Sequence, residues 1–137
     1  MPFSYERTIH FRDTDAAGVV FFPNYLAICH EAYEEALAAV GIDVKAFFSD
    51  RDGVVVPVSR SEADYLRPLQ VGDRIRVTLR PVLLTEASFA LDYDFTRLGS
   101  VEKRAARLRT EHVCITLRGR ERTPLPASLT RWIRSAG

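Results

Sequence analysis

The sequence predicts an α+β fold in which one wide, curved antiparallel sheet wraps a single long buried helix. Three observations predict it. Apolar residues alternate with period two in a first segment and again in most of the chain after residue 53. A helical period occupies residues 23–40. The connections that follow are hairpin-scale, which implies antiparallel pairing, and strands that follow a helix in a run read as α+β. At 137 residues the chain reads as one domain, 1–137.

The elements follow in order. Phe3 to Phe11 alternates, with Phe3, Tyr5, Ile9 and Phe11 on one face and Arg7 interrupting it, the pattern of a half-buried strand. Asp13 to Phe22 reads as a loop in which Gly18 is free to take a conformation closed to other residues. Pro23 suits the first helical position, where its missing N–H costs nothing. Tyr25, Leu26, Cys29, Ala32, Tyr33, Ala36, Leu37 and Val40 then keep three- and four-residue spacing, and Gly41 suits the stop. The apolar arc is wide, so this helix is expected to be enclosed.

After a short loop or helical turn (Ile42 to Asp52), Val54 to Leu66 reads as one extended segment and "RPLQVGDR" as a turn. Ile75, Val77 and Leu79 alternate with polar residues, as do Phe89, Leu91, Tyr93 and Phe95. Arg104 to Leu117 reads as the last long strand. Its apolar parity changes between Leu108 and Val113, which predicts a bulge or a strand buried on both faces. "TPLPASLTRWIRS" predicts a short final helix capped by Ser128. The outer strand edges would be open, and a second copy is the simplest cover, so a dimer is expected.

Composition removes several function classes. Nineteen Lys plus Arg against eighteen Asp plus Glu leave a formal charge of +1, without the cationic excess of a nucleic-acid binder. No apolar run reaches membrane-spanning length. The N-terminus "MPFSYERTIHFRD" has no apolar signal core, so a cytoplasmic location is expected. Cys29 and Cys114 sit in apolar patterns and read as buried free thiols. His30 lacks the second histidine of a zinc helix, because Glu34 stands there; no metal and no cofactor are expected.

The chemistry concentrates in "HFRDTDAAGVVFFPNYLAICHEAYEEAL", residues 10–37. An Asp pair in a loop is ordinarily a solvated turn. Here, however, it precedes a helix whose free N–H groups form an oxyanion receptor. A carboxylate beside such a receptor is the minimum for hydrolysing an activated acyl group, by direct attack or by deprotonating water. A thioester suits so sparse a site. There is no serine elbow, no phosphate loop and no dinucleotide fingerprint. His30 can pair with Glu34 one turn on, or line a pocket and bind a polar ring substituent.

"DTDAAGVVFFPNYL", the apolar helix and the later "YLRPLQVGD" resemble the hotdog-fold acyl-CoA thioesterases of the 4-hydroxybenzoyl-CoA thioesterase type, over about residues 5 to 120. The resemblance implies Asp15 as the catalytic carboxylate, the Phe22 backbone N–H as the donor that polarises the thioester carbonyl, and Asp13 as a supporting group. It implies dimers or tetramers with active sites at subunit interfaces. Gly18, Val19, His30, Ser59 and Arg60 form the expected substrate-binding set. Within the family, "CHEAYEEAL" is similar to the branch that hydrolyses 1,4-dihydroxy-2-naphthoyl-CoA in phylloquinone synthesis. The chain departs from the 4-hydroxybenzoyl-CoA enzymes at "LTEASF", residues 84–89, where those carry basic residues for the nucleotide phosphates.

Aromatic acyl-CoA hydrolysis is thus the expected function, with the acyl-CoA as partner and coenzyme A as part of the substrate. A broad short- or medium-chain acyl-CoA thioesterase and a non-catalytic acyl-CoA binder remain the alternatives. The retained Asp15 disfavours the binder. The absence of histidine from the five residues after Asp15 disfavours a hydratase.

Overall fold

The computed structural model describes residues 2–49 and 53–136, so the end of the Ile42–Asp52 connection lies outside the described residues. The elements are β1 (Phe3–Thr8), a 3-10 turn (Phe11–Asp13), α1 (Asn24–Ala39), α2 (Val44–Phe47), β2 (Val54–Val55), β3 (Val58–Tyr65), β4 (Arg74–Thr85), β5 (Ser88–Arg97), β6 (Lys103–Val113), β7 (Ile115–Thr116) and α3 (Ala127–Ala136). The main sheet runs β1-β4-β5-β6-β3, and β2 pairs with β7 in a two-stranded sheet. Every pairing is antiparallel, as hairpin-scale connections dictate.

The helix packs one face on the sheet, burying Tyr25, Ile28, Cys29, Ala32, Tyr33, Ala36 and Leu37. Below it lie Ile75, Val77 and Leu79 of β4 and Phe89, Leu91, Tyr93 and Phe95 of β5, in one apolar cluster. This is the alternation read from the sequence. At the C-terminal end Gly41 takes φ +83, its N–H donates to Ala38, and the Ile42 N–H donates to Leu37. That pair of bonds is a Schellman stop, and the left-handed residue in it requires glycine.

Several expectations need correction. β1 ends at Thr8, and Phe11 is 81% exposed where the alternation placed it on the buried face. The His10 N–H donates to the Asp13 carboxylate at 2.8 Å, and this closes a 3-10 turn that swings Phe11 out. Pro23 is the cap of α1, one residue before its first turn. Leu26 and Val40 are exposed, so the helix is covered on one side only within the single chain. Pro57 divides the Val54–Leu66 segment into β2 and β3, because it has no N–H for a ladder.

β6 stops at Val113, and its parity holds from Ala106 to its end. Ala106, Leu108, Thr110 and His112 all point inward, and the polar pair in that row mimicked a switch. The irregularity lies at the other end, between Phe95 and Thr96 opposite Ala106 and Arg104. α3 starts at Ala127, with Ser128 already inside it, so Ser128 is not its cap.

Candidate active site

Residues 13–21 fold back as a small ladder. The Phe21 N–H donates to the Asp13 carbonyl at 2.9 Å, Thr14 bridges Val20, and the Asp15 N–H donates to the Val19 carbonyl at 3.0 Å. Gly18 closes the tip with φ +82, which a side chain would strain. Val19 also bridges Gln70, which anchors the tip to the turn ahead of β4. Asp15 therefore sits at the tip of the ladder, and Phe21–Phe22 leave its base to enter α1.

Asp13 faces inward. Its Oδ2 takes Arg7 Nη2 at 3.0 Å and the His10 N–H at 2.8 Å. Its carbonyl accepts from Asn24 Nδ2 at 2.9 Å as well as from Phe21. Arg7 reaches on to Glu31 of α1 at 3.1 Å, and Glu31 also accepts from the Tyr5 hydroxyl. The residue that interrupted the β1 alternation is thus the bolt between β1, the ladder and the helix. Asp13 braces the ladder from inside through these contacts; Arg7 and Asn24 were not singled out by sequence. Their signal was a cation on an apolar strand face and an asparagine at a helix start.

Asp15 is exposed in the single chain. Its Oδ1 accepts from the Ala17 N–H at 2.8 Å, which fixes the carboxylate against its own turn. It borders an open cleft of about 550 Å³ lined by Phe11, Arg12, Thr14, Ala16, Gly18 and Val71. The Phe22 N–H donates to no acceptor among the described residues, whereas Asn24, Tyr25 and Leu26 all donate to carbonyls of residues 21–23. The first backbone donor of the helix approach is left available. A carboxylate and an unspent amide on one ladder can activate water or attack an acyl carbon, and can hold the oxygen that becomes negative.

His30 lies 2.7 Å from Glu34, the predicted one-turn pair, with its ring 5.2 Å from Phe48 and 5.5 Å from Tyr33. Ser59 and Arg60 are not brought to Asp15. They lie on β3, where the Ser59 hydroxyl donates to the Glu111 carbonyl and Arg60 faces Glu62 in solvent. The far end of β3 is the one that meets the site: Tyr65 packs 5.0 Å from Tyr25, and its hydroxyl reaches the Phe22 carbonyl at 3.5 Å. Six residues of strand, about 20 Å, separate that end from Ser59.

Cys29 and Cys114 are buried free thiols, and burial pushes both thiol pKa values up, so neither is a nucleophile. No three metal-binding side chains cluster among the described residues. A larger cleft, about 720 Å³, lies at the opposite end of α1 around Gly41, Asp43 and Trp132. Its one carboxylate, Asp43, is committed to the Lys45 and Ala46 amides. The chemistry is not there.

The family model of the Thioesterase-like superfamily matches residues 9–133, which takes in the ladder, α1 and every strand after β1. The chain belongs to this family. A curated 1,4-dihydroxy-2-naphthoyl-CoA hydrolase from Thermosynechococcus vestitus is 47% identical over 132 residues, covering 96% of this chain and 88% of the relative. One from Trichodesmium erythraeum is 42% identical, covering 98% and 97%. A solved 1,4-dihydroxy-2-naphthoyl-CoA thioesterase from Synechocystis superposes with a TM-score of 0.90 at 35% identity, covering 98% of this chain and 96% of that one. This member of the thioesterase-like superfamily therefore has the hotdog fold, with α1 as the helix packed on its sheet.

Proposed function

We infer that the chain hydrolyses 1,4-dihydroxy-2-naphthoyl-CoA to the free acid and coenzyme A. The observation that carries the inference is the ladder with a fixed Asp15 carboxylate at its tip leading straight into a helix approach whose Phe22 amide is unspent, in a chain 42–47% identical to hydrolases of that ester. The Phe22 N–H polarises the thioester carbonyl. Asp15 either takes a proton from water or attacks the carbonyl carbon. In the second route an anhydride forms, coenzyme A leaves as its thiolate, and water then opens the anhydride.

The working form on this reading is a dimer through β3. Seven of that strand's eight residues are exposed, and its outer edge is unpaired among the described strands. Antiparallel two-fold pairing sets the Val58 end of one copy beside the Tyr65 end of the other. Ser59 and Arg60 of the partner subunit then approach the Phe22 end that their own chain holds remote. Two such dimers could join as a tetramer. No helix among the described residues is long and apolar enough to cross a membrane. Two free buried thiols suit a reducing compartment, so the cytoplasm is the proposed location.

The test is a panel of aryl- and aliphatic-CoA esters with wild-type protein and Asp15→Asn, reading released thiol. Turnover of the dihydroxynaphthoyl ester that collapses in Asp15→Asn while ligand still binds supports the reading. Faster cleavage of butyryl- or octanoyl-CoA selects the broad aliphatic enzyme. Binding without turnover in the wild type selects the acyl-CoA binder.

A further inference from the structure

Beneath α1, well along the sheet from Asp15, β5 and β6 turn a row of polar groups inward. Thr110 Oγ1 lies 3.2 Å from the Tyr93 hydroxyl and 2.8 Å from His112 Nε2. One arrangement uses every proton: Tyr93 donates to Thr110, Thr110 donates to Nε2, and a neutral His112 carries its own proton on Nδ1. Burial, reinforced by the charge of nearby His30, lowers the His112 pKa to about 4, and the Val56 carbonyl offsets only part of that. Burial likewise pushes the Tyr33 hydroxyl up, so it stays protonated.

Two groups in this nest are left over. His112 Nδ1 has no hydrogen-bond partner in a side chain 2% exposed, although the Val56 carbonyl faces the ring. The Tyr33 hydroxyl has none in a side chain 1% exposed. Buried polar groups are nearly always paired, because an orphan bears its full desolvation cost. Both residues line one cleft of about 380 Å³, walled by His30, Phe47, Phe48 and Val58. A second cleft, of about 360 Å³, shares His30, Val58 and His112 with it and runs toward Leu26 and Ser61. Aromatic walls with two unpaired hydrogen-bonding groups fit a flat ring that carries hydroxyls. An aliphatic chain would leave the Tyr33 hydroxyl unpaired and His112 Nδ1 with only the Val56 carbonyl facing it.

We propose that Tyr33 and His112 read the ring hydroxyls of the acyl group, which makes this cleft the specificity-determining end of the acyl pocket. The assignment rests on the aryl-thioester reading and extends it to residues that reading does not use. It also fixes which catalytic loop the cleft serves. His112 stands opposite Val58 in the β3–β6 register, whereas Ala106 stands opposite Tyr65, the residue at the Phe22 end. Six residues of β6, about 20 Å, part His112 from its own Phe22 end, too far for one fused ring to bridge. In the β3-paired dimer the Val58 end abuts the partner's Phe22 end. The cleft therefore receives a ring held by the partner subunit's Asp15.

The test compares 1,4-dihydroxy-2-naphthoyl-CoA with 2-naphthoyl-CoA, which has the same ring and no hydroxyls, in wild-type protein, Tyr33→Phe and His112→Phe. Wild-type kcat/KM should favour the dihydroxy ester. Tyr33→Phe should lose about tenfold on that ester, the worth of one hydrogen bond, and keep its rate on the other. The unchanged 2-naphthoyl rate is also the check on folding, and Tyr33→Phe suffices if His112→Phe fails to fold. Affinity for free 1,4-dihydroxy-2-naphthoate should fall in parallel, with that for 2-naphthoate unmoved. A fall that is equal for both esters, or no fall, overturns the subsite and leaves the aryl reading standing. A wild-type preference for octanoyl-CoA over both aryl esters overturns that reading, and the subsite with it.

Discussion

Arg7 and Asp13 meet at 3.0 Å with side chains only 8% and 11% exposed, and the pair holds the Asp13–Phe21 ladder to β1. Its other links run to the helix: Arg7 to Glu31, and the Asp13 carbonyl to Asn24. Replacing one member leaves a buried charge with less compensation, which is far costlier than never having had the pair. Asp13→Asn should therefore destabilise the protein by about 3 kcal/mol, at the low end for a buried pair because Glu31 still faces Arg7. Chemical denaturation measures this. The ladder should loosen with it, so kcat should fall by more than the loss of folded protein accounts for.

Asp15 presents the opposite case. Its carboxylate is exposed and bonds only the Ala17 amide of its own turn, so Asp15→Asn should change stability by less than about 0.5 kcal/mol. Turnover should drop by about 10²- to 10⁴-fold, the range for losing a positioned base. Matching melting curves beside collapsed turnover would establish the role. A variant retaining near-full rate would remove Asp15 from the chemistry.

The candidate site's local geometry was legible in one stretch of sequence because its parts are local. Asp15, Gly18 and Phe22 lie within eight residues, and turn chemistry places them without help from the rest of the fold. The alternating strands and the helix stop were equally legible, since alternation and Gly41 are local signals too, whereas the pairing of β1 with β4 and of β3 with β6 is nonlocal. What escaped was nonlocal. Arg7 reads as a flaw in a strand until Asp13 and Glu31 close on it. The parity change read between Leu108 and Val113 was produced by Thr110 and His112, because a period-two pattern is scored by polarity and a polar group turned inward breaks the score. The exposure of Phe11 depended on one bond, from the His10 N–H to the Asp13 carboxylate, that alternation cannot foresee.

The tip of the ladder depends on glycine. Gly18 holds φ +82 with nothing within 4 Å of an added Cβ, so only backbone strain opposes a side chain there. Gly18→Ala should cost about 1–2 kcal/mol as measured by thermal or denaturant unfolding. Part of that strain should be relieved by shifting Asp15, whose carbonyl accepts the Gly18 N–H. A lower kcat with little change in KM is the expected kinetic sign.

His112 gives stability a pH dependence of known sign. Its folded pKa of about 4 is below the ordinary histidine value of 6.5, so between those pH values the unfolded chain binds the extra proton. Stability should then be full above pH 6.5 and decline as the pH falls toward 4, by on the order of 3 kcal/mol from this group. His30 supplies the facing charge, and burial the larger share. In His112→Phe that slope should flatten in urea titrations across the same window. An unchanged slope would assign acid sensitivity to other groups.

Subunit mixing tests the pairing of one copy's cleft with the other copy's carboxylate. Asp15→Asn homodimers lack the carboxylate at both sites. Homodimers of Tyr33→Phe/His112→Phe lack both ring-reading groups and should keep about 1% of wild-type activity on the dihydroxy ester, tenfold for each lost bond. In a mixed dimer built across β3, one site receives both defects and the other receives neither. Co-refolding equal amounts should therefore restore about a quarter of wild-type activity, because half the dimers are mixed and each has one intact site. If cleft and carboxylate belonged to the same chain, every site would carry a defect and mixing would restore nothing. The two outcomes differ by more than tenfold, so the arrangement of the active site across β3 is decided by a single rate measurement.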